Sequence, residues 1–222
     1  MKHIVVLGDR NPEYLTHREI DAALALLPPT VHAQWVDTDA KDASRTLDAD
    51  ALWVVPGSPY RNDDAVYAAI KAARTNAQPF LATCGGFQYT AIEFARNAAG
   101  IVHAEHEETA PNASELVVTH LSCSLVAQER MVTPIPGTRM FEICGPGPFV
   151  GFHWCNYGIA PMYVDRLVKH GLVISATADD AGVEAIELPD HPFFLATSFQ
   201  PQVGSIAGKP LHPVLRAFVR AV

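Results

Sequence analysis

The sequence predicts an α/β domain: a mostly parallel central sheet with helices on both faces, extended in its second half by antiparallel strands. Three patterns carry that reading. Continuous apolar runs mark strands buried on both faces, amphipathic stripes lie between them, and a hairpin signal with proline-bearing strands follows in the second half. Ile4-Val5-Val6-Leu7 is the first strand, stopping at Gly8-Asp9, and Ile20, Ala23, Leu24 and Leu27 form a helix face ended by Pro28-Pro29. Val31, Ala33 and Trp35 alternate as a half-buried strand, whereas Ala51–Val55 is a buried one that stops at Pro56-Gly57. A helix capped by Asp63 or Asp64 carries Val66, Ile70 and Ala73, and Pro79–Thr83 is a strand feeding directly into Cys84-Gly85-Gly86. The next helix shows Phe87, Ala91, Phe94, Ala95 and Ala98 on one face and ends near Gly100.

Leu116–Thr119 and the stretch 126–138 read as antiparallel strands and turns. Val173–Ala176 and Val183–Leu188 flank the hairpin signal Asp179-Asp180-Ala181-Gly182, and Phe193–Thr197 is a further strand. Leu211, Leu215, Phe218 and Val222 make the face of a closing helix. With no repeat, low-complexity tract or linker, residues 1–222 are expected to form a single domain.

Composition narrows the function. The chain is 49% hydrophobic with 16 basic and 24 acidic residues, a formal charge of -8, which excludes disorder and argues against a nucleic-acid partner. Cys84, Cys123, Cys144 and Cys155 contain no C-x-x-C pair, so neither a zinc ribbon nor a disulfide scaffold is suggested, and a reducing, cytoplasmic setting is expected. No run suits a signal peptide or a membrane span. No cofactor is expected.

The chemistry points to the turn Ala82-Thr83-Cys84-Gly85-Gly86. A nucleophile elbow places its reactive residue on a sharp turn between strand and helix, so the positions two before and two after it must be small; here they are Ala82 and Gly86. A thiol there stands at a helix N-terminus, where the dipole favours thiolate, and the Gly85 N–H can serve an oxyanion. The alternative is an inert buried cysteine in a tight turn.

Residues 79–88, P-F-L-A-T-C-G-G-F-Q, resemble the nucleophile segment of class I glutamine amidotransferases, specifically the glutaminase domain of CTP synthases. Similar counterparts follow in order: V-V-L-G-D-R-N-P-E-Y-L-T-H-R-E-I-D-A-A-L, W-V-V-P-G-S-P-Y-R-N, H-G-L-V-I-S-A and P-D-H-P-F-F-L-A-T-S-F-Q-P-Q. The resemblance implies a three-layer, flavodoxin-like fold. It also implies a stand-alone group without the synthetase portion, some of whose members are selenoproteins. Carried over residue by residue, it implies Cys84 as nucleophile, Gly85 as oxyanion donor, Gln88 in the substrate pocket, and Gly57 with Ser58 completing the oxyanion hole beside the stiffening Pro59. The family's catalytic His and Glu fall on Gln200 and Gln202. A carboxamide cannot take the thiol proton, a step typically contributing about 10²–10⁴-fold, and Gln202 avoids a buried carboxylate with no partner. Where the family presents Arg-Tyr-Glu to hold substrate, this chain has Asn156, Tyr157 and Gly158.

Two segments could supply another base. His103–Glu108 is expected to be a solvated acidic loop; folded back, it would offer His106 with Glu105 or Glu107, or a metal site. Gly151–Gly158 ranks higher: the resemblance aligns it with a substrate-facing segment, and His153 and Cys155 share a face at i, i+2, the alternative being a strand with ordinary core packing. His191, in a turn, is read as structural. The leading expectation is a divergent Cys-dependent hydrolase or transferase acting on a small amide-like molecule, with no metal. A catalytically disabled binding or regulatory module and a redox-active thiol protein are the alternatives. The oligomeric state stays open, a homodimer included.

Overall fold

The computed structural model describes residues 1–41, 46 and 48–222. In chain order the first half holds β1 (Lys2–Leu7), α1 (Leu15–Leu24), β2 (Val31–Val36), β3 (Ala51–Val54), α2 (Asp63–Thr75), β4 (Phe80–Thr83) and α3 (Gly85–Asn97). The second half adds β5 (Ala104–His106), β6 (Glu115–His120), β7 (Gln128–Pro134), α4 (Arg139–Cys144), β8 (Phe149–His153), β9 (Tyr157–Ile159) and α5 (Pro161–Lys169). It closes with β10 (Val173–Ala178), β11 (Gly182–Glu187), β12 (Phe194–Thr197) and α6 (Pro213–Ala221).

The main sheet runs β2-β1-β3-β4-β12-β11-β10-β7-β8. Its first five strands are parallel and the rest pair antiparallel. Helices cover both faces, which is why the parallel strands show no polar alternation. In β1, Val5 and Leu7 join one core with Val66, Ile70, Phe87 and Ile92, while Ile4 and Val6 join the other with Ile20, Ala23, Leu215 and Phe218. The α/β class and its antiparallel extension are as the sequence predicts.

Four details differ. Helix α1 stops at Leu24, so Leu27 lies in the turn beyond it. The cap of α2 is Asn62, whose side chain accepts the Ala65 N–H at 3.1 Å; Asp63 and Asp64 fill the first turn, where the dipole favours them. Strand β6 pairs antiparallel with β9 but parallel with β5, in a separate three-stranded sheet. Finally, β5 occupies part of the charged run expected to be a solvated loop.

Two consequences of topology position the site. The sheet order reverses around β1, between β2 and β3, which opens a crevice at the carboxyl ends of β1 and β3. Strand β12 lies in register beside β4, Thr197 opposite Thr83, so the chain leaving β12 toward Gln200 runs beside Cys84.

Candidate active site

Cys84 closes β4 with φ 53° and ψ -111°, a strained conformation for a residue with a Cβ, and its N–H donates to the Thr197 carbonyl at 2.8 Å. The neighbours must be small for steric reasons visible in the packing. A Cβ at Gly86 would fall 2.5 Å from the Val54 carbonyl oxygen, and one at Gly85 would fall 2.5 Å from Ser58 Oγ and 3.2 Å from Ser58 N. The loop bearing Gly57 and Ser58 therefore lies against the elbow.

That loop is held by a residue the sequence reading passed over. His17, fully buried, accepts the Asn11 N–H at Nδ1 (2.9 Å), so its Nε2 carries the proton and donates to the Pro56 carbonyl at 2.8 Å. Gly57 follows with φ +124°, the one place in the loop where the backbone conformation itself calls for glycine. Burial pulls the His17 pKa down, which favours the neutral ring this bonding pattern needs.

Two sulfurs meet at the elbow. The Cys84 thiol donates to the Trp154 carbonyl at 3.6 Å, and the Cys155 sulfur lies in the same buried cluster. Leu125, Ala178 and Ala181 enclose the pair. Hydrogen bonding to Cys155 and burial push the Cys84 thiol well up, against the help of the Gly85 N–H. Cys155 moves the other way: the hydrogen bond from Cys84 lowers it most, with the His153 charge and Ser198 assisting against burial. This departs from the expectation of a dipole-stabilised thiolate on Cys84. Two adjacent sulfurs do not both ionise readily, and the one nearer a cation keeps the charge.

The neighbour that can carry a positive charge is His153. Its Nε2 lies 2.8 Å from Glu184 Oε2 with both side chains fully buried, joining β8 to β11. Burial lowers the imidazole pKa, but the hydrogen bond and charge of Glu184 outweigh it and the net shift is upward. Glu184 was not singled out in the sequence because it sits in an unremarkable strand, Gly182–Glu187, far from any motif.

Gln200 and Gln202 are equally buried and neutral. Gln202 Nε2 donates to Gln200 Oε1 at 2.8 Å, and Gln200 Nε2 and Gln202 Oε1 have no hydrogen-bond partner among the described residues. Gln200 borders a cavity of about 410 Å³ lined also by Tyr14, Thr16, Gly57, Ser58 and Trp154, at the crevice between the β1 and β3 loops.

His106 is buried rather than solvated. Its Nδ1 accepts the Glu108 N–H at 3.1 Å, so Nε2 donates to Gln88 Oε1 at 3.1 Å, and Gln88 Nε2 donates to the Tyr157 carbonyl at 2.9 Å. Burial brings the imidazole down to about 4, too weak a base for neutral pH. Its suggested partners are engaged elsewhere, Glu105 with Arg96 at 2.8 Å and Glu107 with the His120 N–H at 2.6 Å. The charge of Glu108 adds to the upward shift of Cys84. His191 donates to the Ala73 carbonyl at 3.0 Å, a structural role. Among the described residues, no three His, Cys, Asp or Glu side chains converge on a metal-sized site.

The family model for glutamine amidotransferase class-I matches residues 16–211. The chain belongs to the class I glutamine amidotransferase family. Among its relatives in that family, the CTP synthase of Archaeoglobus fulgidus is 34% identical over 221 residues, covering 94% of this chain and 40% of the relative. That of Aeropyrum pernix is 36% identical over 207 residues, covering 85% and 38%. This amidotransferase chain thus spans about two fifths of the length of the relatives it matches, 40% in the first case. In fold it matches the glutaminase domain of Trypanosoma brucei CTPS with bound acivicin at a TM-score of 0.85, with 24% identity and coverage of 100% and 93% of the two chains. No helix among the described residues is long and apolar enough to cross a membrane.

Proposed function

We propose that this protein is a cysteine-dependent hydrolase or transferase for a small amide-like molecule, with Cys84 as nucleophile and a relocated proton-transfer group. The observation that carries the reading is the fully buried His153–Glu184 pair, with His153 two residues from Cys155, which shares one buried cluster with Cys84. Gln200 and Gln202, read as standing where the family's His and Glu stand, cannot transfer a proton. Cys155 can. As the Cys84 sulfur attacks the substrate carbonyl, its proton passes to the Cys155 thiolate, which the His153 imidazolium stabilises.

Charge then develops on the carbonyl oxygen, facing the N–H groups of Gly85 and Ser58. Collapse of the adduct breaks the C–N bond, and the leaving amine takes its proton from Cys155. Water or another acceptor next attacks the thioester, giving its proton to the same sulfur; the C–S bond then breaks, the acyl product leaves, and Cys155 returns that proton to the Cys84 sulfur. Gln200, Gly57 and Ser58 face the cavity, while Gln88 is tied to the Tyr157 carbonyl and to His106. Conventional glutaminase chemistry is disfavoured, because Asn156 and Gly158 carry no charge for an amino acid's ends. A reducing, cytoplasmic setting suits the four free thiols.

The unpartnered amide atoms of Gln200 and Gln202 favour a second reading, a binding module that has lost turnover. A p-nitrophenyl ester separates the two. The first reading expects a burst of nitrophenol with one acyl group on Cys84, abolished in Cys84→Ala. No burst and no acyl adduct on the wild-type protein would support the second.

A further inference from the structure

Cys84 and Cys155 come from separate elements, yet each sulfur lies against the backbone neighbourhood of the other. Cys84 Sγ is 3.6 Å from the Trp154 carbonyl, in the peptide bond leading into Cys155. Cys155 Sγ is 4.0 Å from Ser198 Oγ, and Ser198 follows Thr197, whose carbonyl accepts the Cys84 N–H at 2.8 Å. Both sulfurs belong to one small cluster with Leu125, Ala178 and Ala181, whose side chains are apolar and mostly short. Their exposures of 6% and 8% leave room for a small reagent and little else.

The other two cysteines are differently engaged. Cys144 contacts Met140 Sδ at 3.6 Å on α4, and Cys123, at the margin of the cluster, points toward Asp180 at 4.0 Å. The sequence holds no C-x-x-C motif, but the fold brings a cysteine from a distant segment into the same cluster as Cys84.

We propose that Cys84 and Cys155 form a reversible intramolecular disulfide when the protein meets a hydroperoxide, so that oxidation withdraws the elbow thiol. The Cys155 thiolate, beside the His153 cation, attacks one peroxide oxygen; the O–O bond breaks and the departing hydroxide takes a proton to leave as water. Cys84 sulfur then attacks the sulfenic sulfur of Cys155, the S–O bond breaks, and the hydroxide released takes the Cys84 proton. Two thiols lose two electrons in all, and one peroxide becomes two waters. A dithiol reductant reverses the change by exchange. The inference rests on the sulfur pair rather than on turnover, and it can hold for a chain without acyl-transfer activity.

The test treats the fully reduced chain with one equivalent of hydrogen peroxide and maps peptides without reduction. The expected result is loss of two hydrogen masses, a peptide pair linking Cys84 to Cys155, and loss of iodoacetamide labelling at Cys84 that dithiothreitol restores. Cys123→Ser should keep the cross-link and Cys155→Ser should lose it, with oxygen added at Cys84 instead. Addition of oxygen to the wild-type protein without a cross-link would overturn the proposal. So would a cross-link through Cys123.

Discussion

Two buried side-chain pairs flank the elbow, and they are opposites. Gln202 and Gln200, just past β12, share one hydrogen bond of 2.8 Å and leave one donor and one acceptor unpaired. His153 and Glu184, on β8 and β11, form a fully buried ion pair of the same length. The first cannot move a proton near neutral pH, whereas the second can hold a charge next to Cys155 and, through it, influence Cys84. The contrast teaches that a titratable pair near the elbow need not sit at the strand end where a family's motif would place it. Here it joins β8 and β11, which are separated in the sheet order by β10 and β7.

Breaking each part of that arrangement should give graded effects. Cys84→Ala removes the attacking atom and is expected to cut ester turnover by at least about 10³-fold, as measured by steady-state release of nitrophenol. Glu184→Gln strands the imidazole of His153 without its anion and should cost about 3–5 kcal/mol in urea unfolding. The sign of its pH dependence follows from the raised His153 value. Stabilisation of the protonated ring is fully present below the unfolded value of about 6.5 and is lost as pH rises through the folded one. The gap between wild type and variant should therefore be widest in mild acid and narrow on the alkaline side.

Cys155→Ser sharpens the comparison by keeping the ion pair while removing the sulfur that couples it to Cys84. Turnover is expected to fall about 10²-fold with little loss of stability, read from kcat and the urea midpoint together. The smallest effect belongs to His106→Gln. The buried imidazole titrates at about 4, so the wild-type protein loses stability as pH falls below the unfolded value, by roughly 2 kcal/mol at pH 5. A variant that cannot protonate should lack that acid limb in a series of unfolding curves.

Much of this could be read from sequence where a local rule applies. The strands β1, β3 and β4 follow from continuous apolar runs, and the elbow follows from small residues around Cys84. The contacts of Gly85 with Ser58 and of Gly86 with Val54 supply the steric reason. What sequence concealed depends on long-range pairing. Glu184 becomes a partner of His153 only because β11 and β8 belong to one sheet, and Cys155 reaches Cys84 across the end of β12. The charged run 103–108 misled for the opposite reason. Its composition suits water, but β5 and its pairing with β6 turn His106 inward, leaving the acidic neighbours to bind Arg96 and the His120 backbone.

The most direct test of the account is the pH dependence of iodoacetamide alkylation, resolved by peptide mass for Cys84 and Cys155 separately, in wild type and in Cys155→Ser. The account predicts that the Cys155 peptide of the wild-type protein labels at lower pH than the Cys84 peptide, and that the Cys84 midpoint moves down once Cys155 is serine. A Cys84 that labels first, with the same midpoint in both proteins, would contradict it.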